Sequence, residues 1–294
     1  MRSALILVAG VLIISFAFTE IFLDLFHPTR TGSLSDWIGR TLFRLFRSWP
    51  RALSSAGPLT VVLVVLCWSF LQAIGFAFIY SAGYPEGFRL LNRANEGVHA
   101  TFPTMFYFSL QVMTTLGLGD VMPKADWLRI VVSLQALIGL AILTASVSSI
   151  VLVYPALGRM RLLARRVTIL NRAAKEAGLG EAMYSSDALL RDFATAVIQT
   201  RVDFIHFPVI YYFHSDHRRS SLASALPRLV LYADRGADLG TPESIRLAAA
   251  MLRHALNDLA AILDERFLHT GSSDPAVVFR AYGQAHLIRE MQPD

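Results

Sequence analysis

The sequence predicts an all-α membrane protein with three transmembrane helices, a short re-entrant helix followed by a glycine-rich loop, and a helical C-terminal domain. The 294 residues are 54% hydrophobic, which exceeds the usual share in soluble proteins. The apolar excess lies in the first half, because residues 157–294 carry 17 Lys and Arg and 15 Asp and Glu. We therefore expect the chain to leave the membrane near residue 156.

Three apolar segments are long enough to cross a bilayer, since about 20 helical residues span its hydrocarbon core. They cover residues 5–26, 59–80 and 127–154. Residues 101–113 are also apolar but too few to span, which predicts a helix that enters the membrane and returns. The first segment also has a signal-peptide pattern, although its cleavage would invert the other two helices relative to the arginines described next.

The arginines predict how these helices are oriented in a cell membrane, because positively charged connections stay in the cytoplasm. Arginines cluster in the connection 27–58 and directly after residue 154. They are Arg30, Arg40, Arg44, Arg47, Arg51, Arg159, Arg161, Arg165 and Arg166. We therefore expect a multi-pass protein with its N-terminus outside and its C-terminal domain in the cytoplasm.

The first arginine-rich connection predicts an amphipathic helix at the membrane surface. Its arginines recur every three or four residues, opposite an apolar face. A voltage sensor is a poor fit, because the segment contains Asp36 and ends at Pro50. The domains that follow from this reading are 1–27, 28–58, 59–156 and 157–294. Anionic lipid headgroups are expected to bind Arg40, Arg44, Arg47 and Arg51.

The glycine-rich loop is the most informative stretch of the sequence. Residues 114–120 read Thr-Thr-Leu-Gly-Leu-Gly-Asp and lie between the short apolar helix and the third crossing. Non-helical backbone at membrane depth needs a polar partner for its carbonyls. Gly117 and Gly119 allow conformations that aim successive carbonyls at one axis. Such a column of oxygens can replace the hydration shell of a cation.

The segment 59–154 resembles the tetrameric potassium-channel pore family, which has an outer helix, a pore helix, a filter and an inner helix in this order. The resemblance implies four chains around one pore, a hinge at Gly139 in the inner helix, and K+ as the permeant ion, with no other metal and no cofactor. The implied filter carbonyls belong to Thr115, Leu116, Gly117, Leu118 and Gly119. The implied filter support and outer mouth comprise Tyr107, Gln111, Thr114 and Asp120.

The filter departs from the usual family pattern at Leu118, where an aromatic residue with a hydroxyl is common. Support is then expected from packing and from a hydrogen bond between Asp120 and Tyr107, with Gln111 as a neutral third member. Leucine also occurs at this place in the second pore loops of two-pore-domain potassium channels. A K+-selective channel is therefore the preferred reading, and a poorly selective cation channel is the alternative.

Two clusters of ionisable residues outside the loop have simple structural explanations. Glu20, Asp24 and His27 share one face of the first crossing, where an ion pair with Arg30 is preferred over a pH-sensitive coupling to the pore. The stretch 214–217 reads His-Ser-Asp-His, but it lacks the helical spacing of a metal site. A solvated surface is the preferred reading of this stretch.

The C-terminal domain is predicted to be helical and to gate or assemble the channel. Pro155 is expected to end the inner helix. Residues 241–243 begin a helix that Gly271 ends, and Asp274-Pro275 begins the next. No catalytic set, dinucleotide fingerprint or nucleic-acid motif is visible, so an enzyme is not expected. The alternative from another class is a non-conducting, membrane-anchored binding protein.

Overall fold

Among the residues that the structure describes, three helices are long and apolar enough to cross a membrane, and they contain most of the three predicted crossings. The computed structural model describes residues 2–27, 32–90, 101–179, 186–214, 221–238 and 240–286. The first five helices are α1 (Arg2–Phe26), α2 (Ser33–Arg47), α3 (Ala56–Gly83), α4 (Phe102–Met113) and α5 (Asp126–Glu176). The crossing helices are α1, α3 and α5, so the all-α membrane fold is confirmed.

The short helix α4 ends at Met113, where the glycine-containing loop begins. Pro103 lies in its first turn, where the missing N–H leaves no hydrogen bond unmade. The chain on either side of α4 and its loop pairs as two antiparallel strands, β1 (Phe88–Leu90) and β2 (Val121–Pro123). The sequence did not predict this pairing, because three-residue strands leave no periodic pattern.

Aromatic rings pack α3, β1 and α4 into one core. The ring of the buried Tyr80 lies 5.7 Å from that of Phe88 and 5.2 Å from that of Phe108, centroid to centroid. Phe88 and Phe108 are themselves 5.5 Å apart, and all three pairs meet edge to face. Such pairs stabilise a core by about 1 kcal/mol each beyond the area they bury. They fix α4 against the outer helix α3.

The helix α1 approaches α3 closely through two glycines. A Cβ added to Gly10 would lie 2.6 Å from the Gly75 carbonyl oxygen. A Cβ added to Gly75 would lie 2.6 Å from Cγ1 of Ile14. Small residues allow membrane helices to approach so closely that their backbones touch. The N-terminal helix α1 is therefore packed directly on the outer helix α3.

Two carboxylates of α1 cap the first turn of α2. Glu20 and Asp24 lie one turn apart near the end of α1, and Glu20 is buried. The first N–H groups of a helix have no partner within it, and its dipole favours negative charge there. Arg30, the ion-pair partner predicted for these carboxylates, lies outside the described residues. The donors to Glu20 and Asp24 are the N–H groups of Gly32, Ser33 and Leu34, at 2.7–3.2 Å, and the hydroxyls of Ser33 and Ser35.

The chain forms two compact units, residues 1–38 with 61–151 and residues 39–60 with 152–294. The helix α5 contributes to both, and Pro155 lies inside it. The prediction that Pro155 ends the inner helix is wrong. Proline removes one backbone hydrogen bond, but the turns that follow bury a continuous apolar face, which maintains the helix. That face comprises Leu157, Met160, Leu163, Ala164 and Val167.

The second unit, residues 39–60 with 152–294, is called the C-terminal unit below, and it is helical, as predicted. Its further helices are α6 (Asp187–His206), α7 (Leu222–Gly236), α8 (Glu243–Leu263) and α9 (Pro275–Ala285). The predicted helix starts at Glu243 and Pro275 are confirmed. Gly271 does not end α8, because a π-helical turn, Asp264–Leu268, follows the helix and His269 then adopts a left-handed φ of 53°.

The second half of α2 packs on aromatic residues of the C-terminal unit. The ring of the buried Phe43 lies 5.7 Å from that of Tyr211 and 5.2 Å from that of His286. A Cβ on Gly39 would overlap the ring of Tyr212, so this close approach requires glycine. The amphipathic pattern of α2 therefore has a protein-facing side that the sequence did not reveal.

The buried His286 predicts an acid-sensitive C-terminal unit. Burial, with His214 and Arg47 nearby, lowers the pKa of His286 to about 3, whereas an unfolded histidine titrates near 6.5. The unfolded chain therefore binds the extra proton first, and the stabilisation is lost as pH falls from about 6.5 toward about 3. The rings of Tyr211, Tyr282 and Phe43 also contact the imidazole of His286.

We expect the melting temperature of the full chain to fall between pH 7.5 and 5.0, and to fall less in His286→Phe. The phenylalanine fills the same aromatic surroundings but does not titrate. Thermal unfolding of both proteins at the two pH values measures the difference. An equal fall in both would show that His286 is not responsible.

Candidate functional site

The glycine-containing loop begins on the last turn of α4. The Thr115 N–H donates to the Val112 carbonyl at 3.0 Å, and the Leu116 N–H donates to the Gln111 carbonyl at 2.9 Å. These bonds satisfy carbonyls that the end of a helix otherwise leaves without partners. They also fix the first residues of the loop to α4.

The backbone of the loop alternates in φ. Thr115, Gly117 and Gly119 have φ values of 56°, 51° and 79°, and positive φ does not occur at the leucines between them. A chain whose φ alternates in sign turns its successive carbonyls toward one side, whereas an extended strand turns them to opposite sides. A column of carbonyl ligands requires carbonyls on one side, and the alternating φ of this loop is compatible with such a column.

Thr115 is the exception among the three left-handed residues, because it is β-branched. Left-handed φ costs such a residue about 1–2 kcal/mol. Strain of this kind concentrates at functional sites, where the surrounding structure enforces it. The hydroxyl of the neighbouring Thr114 donates to the Leu110 carbonyl of α4, at 2.8 Å.

Gln111 supports the loop from the side of α4. Its Oε1 accepts the Leu118 N–H at 3.2 Å, and its Nε2 donates to Oδ1 of Asp120 at 3.2 Å. The Tyr107 hydroxyl interacts with both Asp120 and Gln111. The structure therefore brings together the three residues that the sequence grouped behind the filter. It adds a direct bond from Gln111 to the filter backbone.

The side chains of the two leucines of the loop are largely exposed. Leu116 is 62% exposed and Leu118 is 60% exposed. Within the part of the chain that the structure describes, more than half of the Leu118 side chain is therefore not packed.

A buried hydrogen-bonded network joins α4 to α3 and to α5. The Tyr80 hydroxyl of α3 donates to Oε1 of Gln135 in α5 at 2.5 Å. Nε2 of Gln135 donates to the carbonyl and hydroxyl oxygens of Ser109 in α4, at 3.0 and 2.7 Å. The Ser109 hydroxyl in turn donates to the Ala73 carbonyl of α3 at 2.8 Å. The sequence did not reveal this network, although a glutamine in an apolar crossing was the available signal.

Gly139 of α5 lies against the end of α4. A Cβ at this position would overlap the Met113 carbonyl oxygen and lie 3.1 Å from the Met113 carbonyl carbon. Gly139 is buried, and α5 is helical on both sides of it. The hinge implied by the family resemblance stays a prediction, and the structure shows a second reason for glycine here.

The histidine-containing stretch 214–217 is only partly visible, because residues 215–220 lie outside the described residues. Within the described ranges, no three His, Cys, Asp or Glu side chains come close enough together to hold a metal ion.

The segment that contains α4 and the loop is similar to a known family. Residues 63–154 match the family described as "Ion channel", a range that begins within α3, includes α4 and the loop, and extends far into α5. This segment is therefore similar to that family, which is the kind of family that the resemblance predicted, and the chain is a multi-helix membrane protein.

The similarity to a known protein extends beyond the pore segment. Over 280 residues the chain is 27% identical to the "Uncharacterized membrane protein YdjJ" of Bacillus subtilis (strain 168). The match covers 92% of this chain and 78% of that protein. It therefore extends well beyond residues 63–154. No solved structure matches the chain.

Proposed function

We propose that the protein is a K+-selective channel that conducts passively, without catalytic activity or a bound cofactor. The single observation that carries this proposal is the alternating φ of Thr115, Gly117 and Gly119 in a loop of an ion-channel segment. Five carbonyl-bearing residues, 115–119, would replace the hydration shell of the ion. Gln111 and Asp120 support this loop at its outer end.

The channel would be a homotetramer with its axis along the pore, since a column of carbonyls needs oxygens from all sides. Exposed apolar residues of α5 and of the loop support this assembly, because second copies of the chain would cover them. Leu116 and Leu118 would then pack against the neighbouring subunits. Along α5, the exposed residues include Leu137, Leu140, Leu143 and Val147.

The proposed orientation follows from the arginines and places the N-terminus outside and the C-terminal unit in the cytoplasm. Because α5 runs from the pore segment to Glu176 in that unit, it supplies a continuous path for gating or assembly. The C-terminal helices would serve one or both of these roles.

The exposed side of α2 would bind anionic lipid headgroups. Arg40, Arg44 and Arg47 are exposed, and so are Trp37 (64%) and Trp49 (73%), which favour the membrane interface. The side chain of Arg51 lies outside the described residues.

Phosphatidylglycerol is expected to raise the melting temperature of the detergent-purified protein more than phosphatidylcholine does. The difference should shrink in a variant with Arg40→Gln and Arg44→Gln. The control is Arg191→Gln, which changes an exposed arginine of α6 and should behave like the wild type. An unchanged lipid preference in the double variant would contradict the lipid site.

The test of the channel is the reversal potential of the purified, reconstituted protein under opposing K+ and Na+ gradients. A reversal near the K+ equilibrium potential is expected. A reversal near zero with a robust current would favour the poorly selective cation channel. Tetramers that carry no current under any condition would instead favour the membrane-anchored binding protein.

A further inference from the structure

We infer that Gly139 and Gln135 position the filter by direct contact with α4, and that Gly139 is needed for this contact rather than as a hinge. The inference rests on the proposed channel function for its meaning, but its structural content can be measured without ion flow. Both residues belong to α5, and both contacts lie within the same compact unit.

The two contacts are in register on the two helices. Gln135 binds Ser109, and Gly139 touches Met113, so each pair is exactly one four-residue step from the other. Residues four apart share one face of a helix. The same face of α5 therefore holds the same face of α4 at two successive turns.

The first contact is polar and fully buried. Tyr80, Ser109 and Gln135 are each at most 1% exposed, and both atoms of the Gln135 amide are used. Removing one member leaves the others without partners in an apolar medium, which is costly. The network therefore resists rotation and sliding of α5 on α4.

The second contact involves the backbone at the base of the filter. Because a Cβ at Gly139 would overlap the carbonyl oxygen of Met113, even alanine would displace the last turn of α4 or the inner helix. Thr114 and Leu116 depend on that turn, since their N–H groups donate to Leu110 and Gln111. A shift at Met113 would therefore move the filter.

A hinge in α5 and a close contact with α4 differ in how strictly they fix the position of the glycine. A hinge needs a flexible residue somewhere in the same turn, so a glycine nearby can replace it. A contact needs the missing side chain at one residue only. Ala141 lies two residues farther along α5 with its side chain exposed, so exchanging the two residues keeps the composition and the number of helix-weakening glycines.

The experiment compares Gly139→Ala, Ala141→Gly and the exchange variant Gly139→Ala/Ala141→Gly as full chains. We expect Gly139→Ala to lower the melting temperature by about 5 °C, since overpacking a core is destabilising. We expect the K+ to Na+ permeability ratio to fall about tenfold or more. The exchange variant should be equally impaired, and Ala141→Gly alone should keep the wild-type selectivity. Recovery of wild-type selectivity and melting in the exchange variant would show a hinge and overturn the inference.

A second pair of variants adds no volume at the contact and keeps the test decisive if Gly139→Ala does not fold. Gln135→Leu removes the polar contact and should lower both the melting temperature and the permeability ratio. Ser133→Ala, at an exposed position of the same helix, should change neither. If Gln135→Leu behaves like Ser133→Ala, the inference is wrong. If no protein conducts, only the proposed channel function fails, because the melting temperatures still test the contacts.

Discussion

Replacing Gly117 by alanine is expected to abolish selective K+ current while the protein remains folded. Gly117 has a φ of +51°, and no atom of the described residues lies within 4 Å of the place where a Cβ would be. The effect is therefore conformational and not steric. An L-residue pays about 1–2 kcal/mol for left-handed φ, so alanine favours a backbone in which an adjacent carbonyl turns away from the others. In a tetramer the change occurs four times around the same ion.

The measurement is the reversal potential under opposing K+ and Na+ gradients, together with the melting temperature. Gly158→Ala is the matched control, since Gly158 lies in α5 without positive φ and without neighbours within 4 Å of a Cβ. It should leave the reversal potential unchanged. A Gly117→Ala protein that still reverses at the wild-type potential would contradict the assignment of this loop as the filter.

Replacing Arg159 by alanine is expected to destabilise the protein by about 3 kcal/mol, because it leaves a buried carboxylate without its cation. Arg159 binds Asp203 through two bonds, Nε to Oδ2 at 2.9 Å and Nη2 to Oδ1 at 2.6 Å. The Asp203 side chain is 2% exposed. After the substitution Gln199, at 3.3 Å, would still bind it. The pair joins α5 to α6, so its loss should loosen the C-terminal unit.

Thermal or denaturant unfolding of the full chain measures this loss. The control is Arg191→Ala, because Arg191 pairs with Asp187 on the surface of α6, where both side chains are more than 40% exposed. Such pairs contribute about 0.5 kcal/mol or less. A double variant, Arg159→Met/Asp203→Leu, should recover much of the stability, since an apolar pair can replace a buried ion pair. Equal losses from the two single alanine variants would refute the special role of Arg159.

The crossings, the short helix and the loop could be predicted because their signals are local. Uninterrupted apolar segments give the positions of α1, α3 and the first half of α5, and the glycines at 117 and 119 mark where positive φ is needed. The left-handed φ of Thr115 could not be predicted, because β-branched residues rarely adopt it. Its position in the alternation is evident only once the whole loop is seen.

The contacts that position the site depend on residues far apart in sequence. Glu20 and Asp24 were recognised as ionisable groups, but their partners are the backbone N–H groups at the start of another helix. The need for glycine at position 39 could not be predicted, because the group that excludes a side chain there is the ring of Tyr212, more than 170 residues later. Pro155 wrongly predicted the end of a helix, since burial of the following turns of α5 outweighs the lost hydrogen bond.

Because Gln111 carries no charge, its support of the loop does not depend on acidity. Its amide supplies a donor to Asp120 and an acceptor to Leu118 at the same time. A carboxylic acid in its place could make both bonds only while it kept its proton beside Asp120, and two carboxylates so close cannot both ionise without repulsion. The amide therefore makes both bonds without any change in its own protonation.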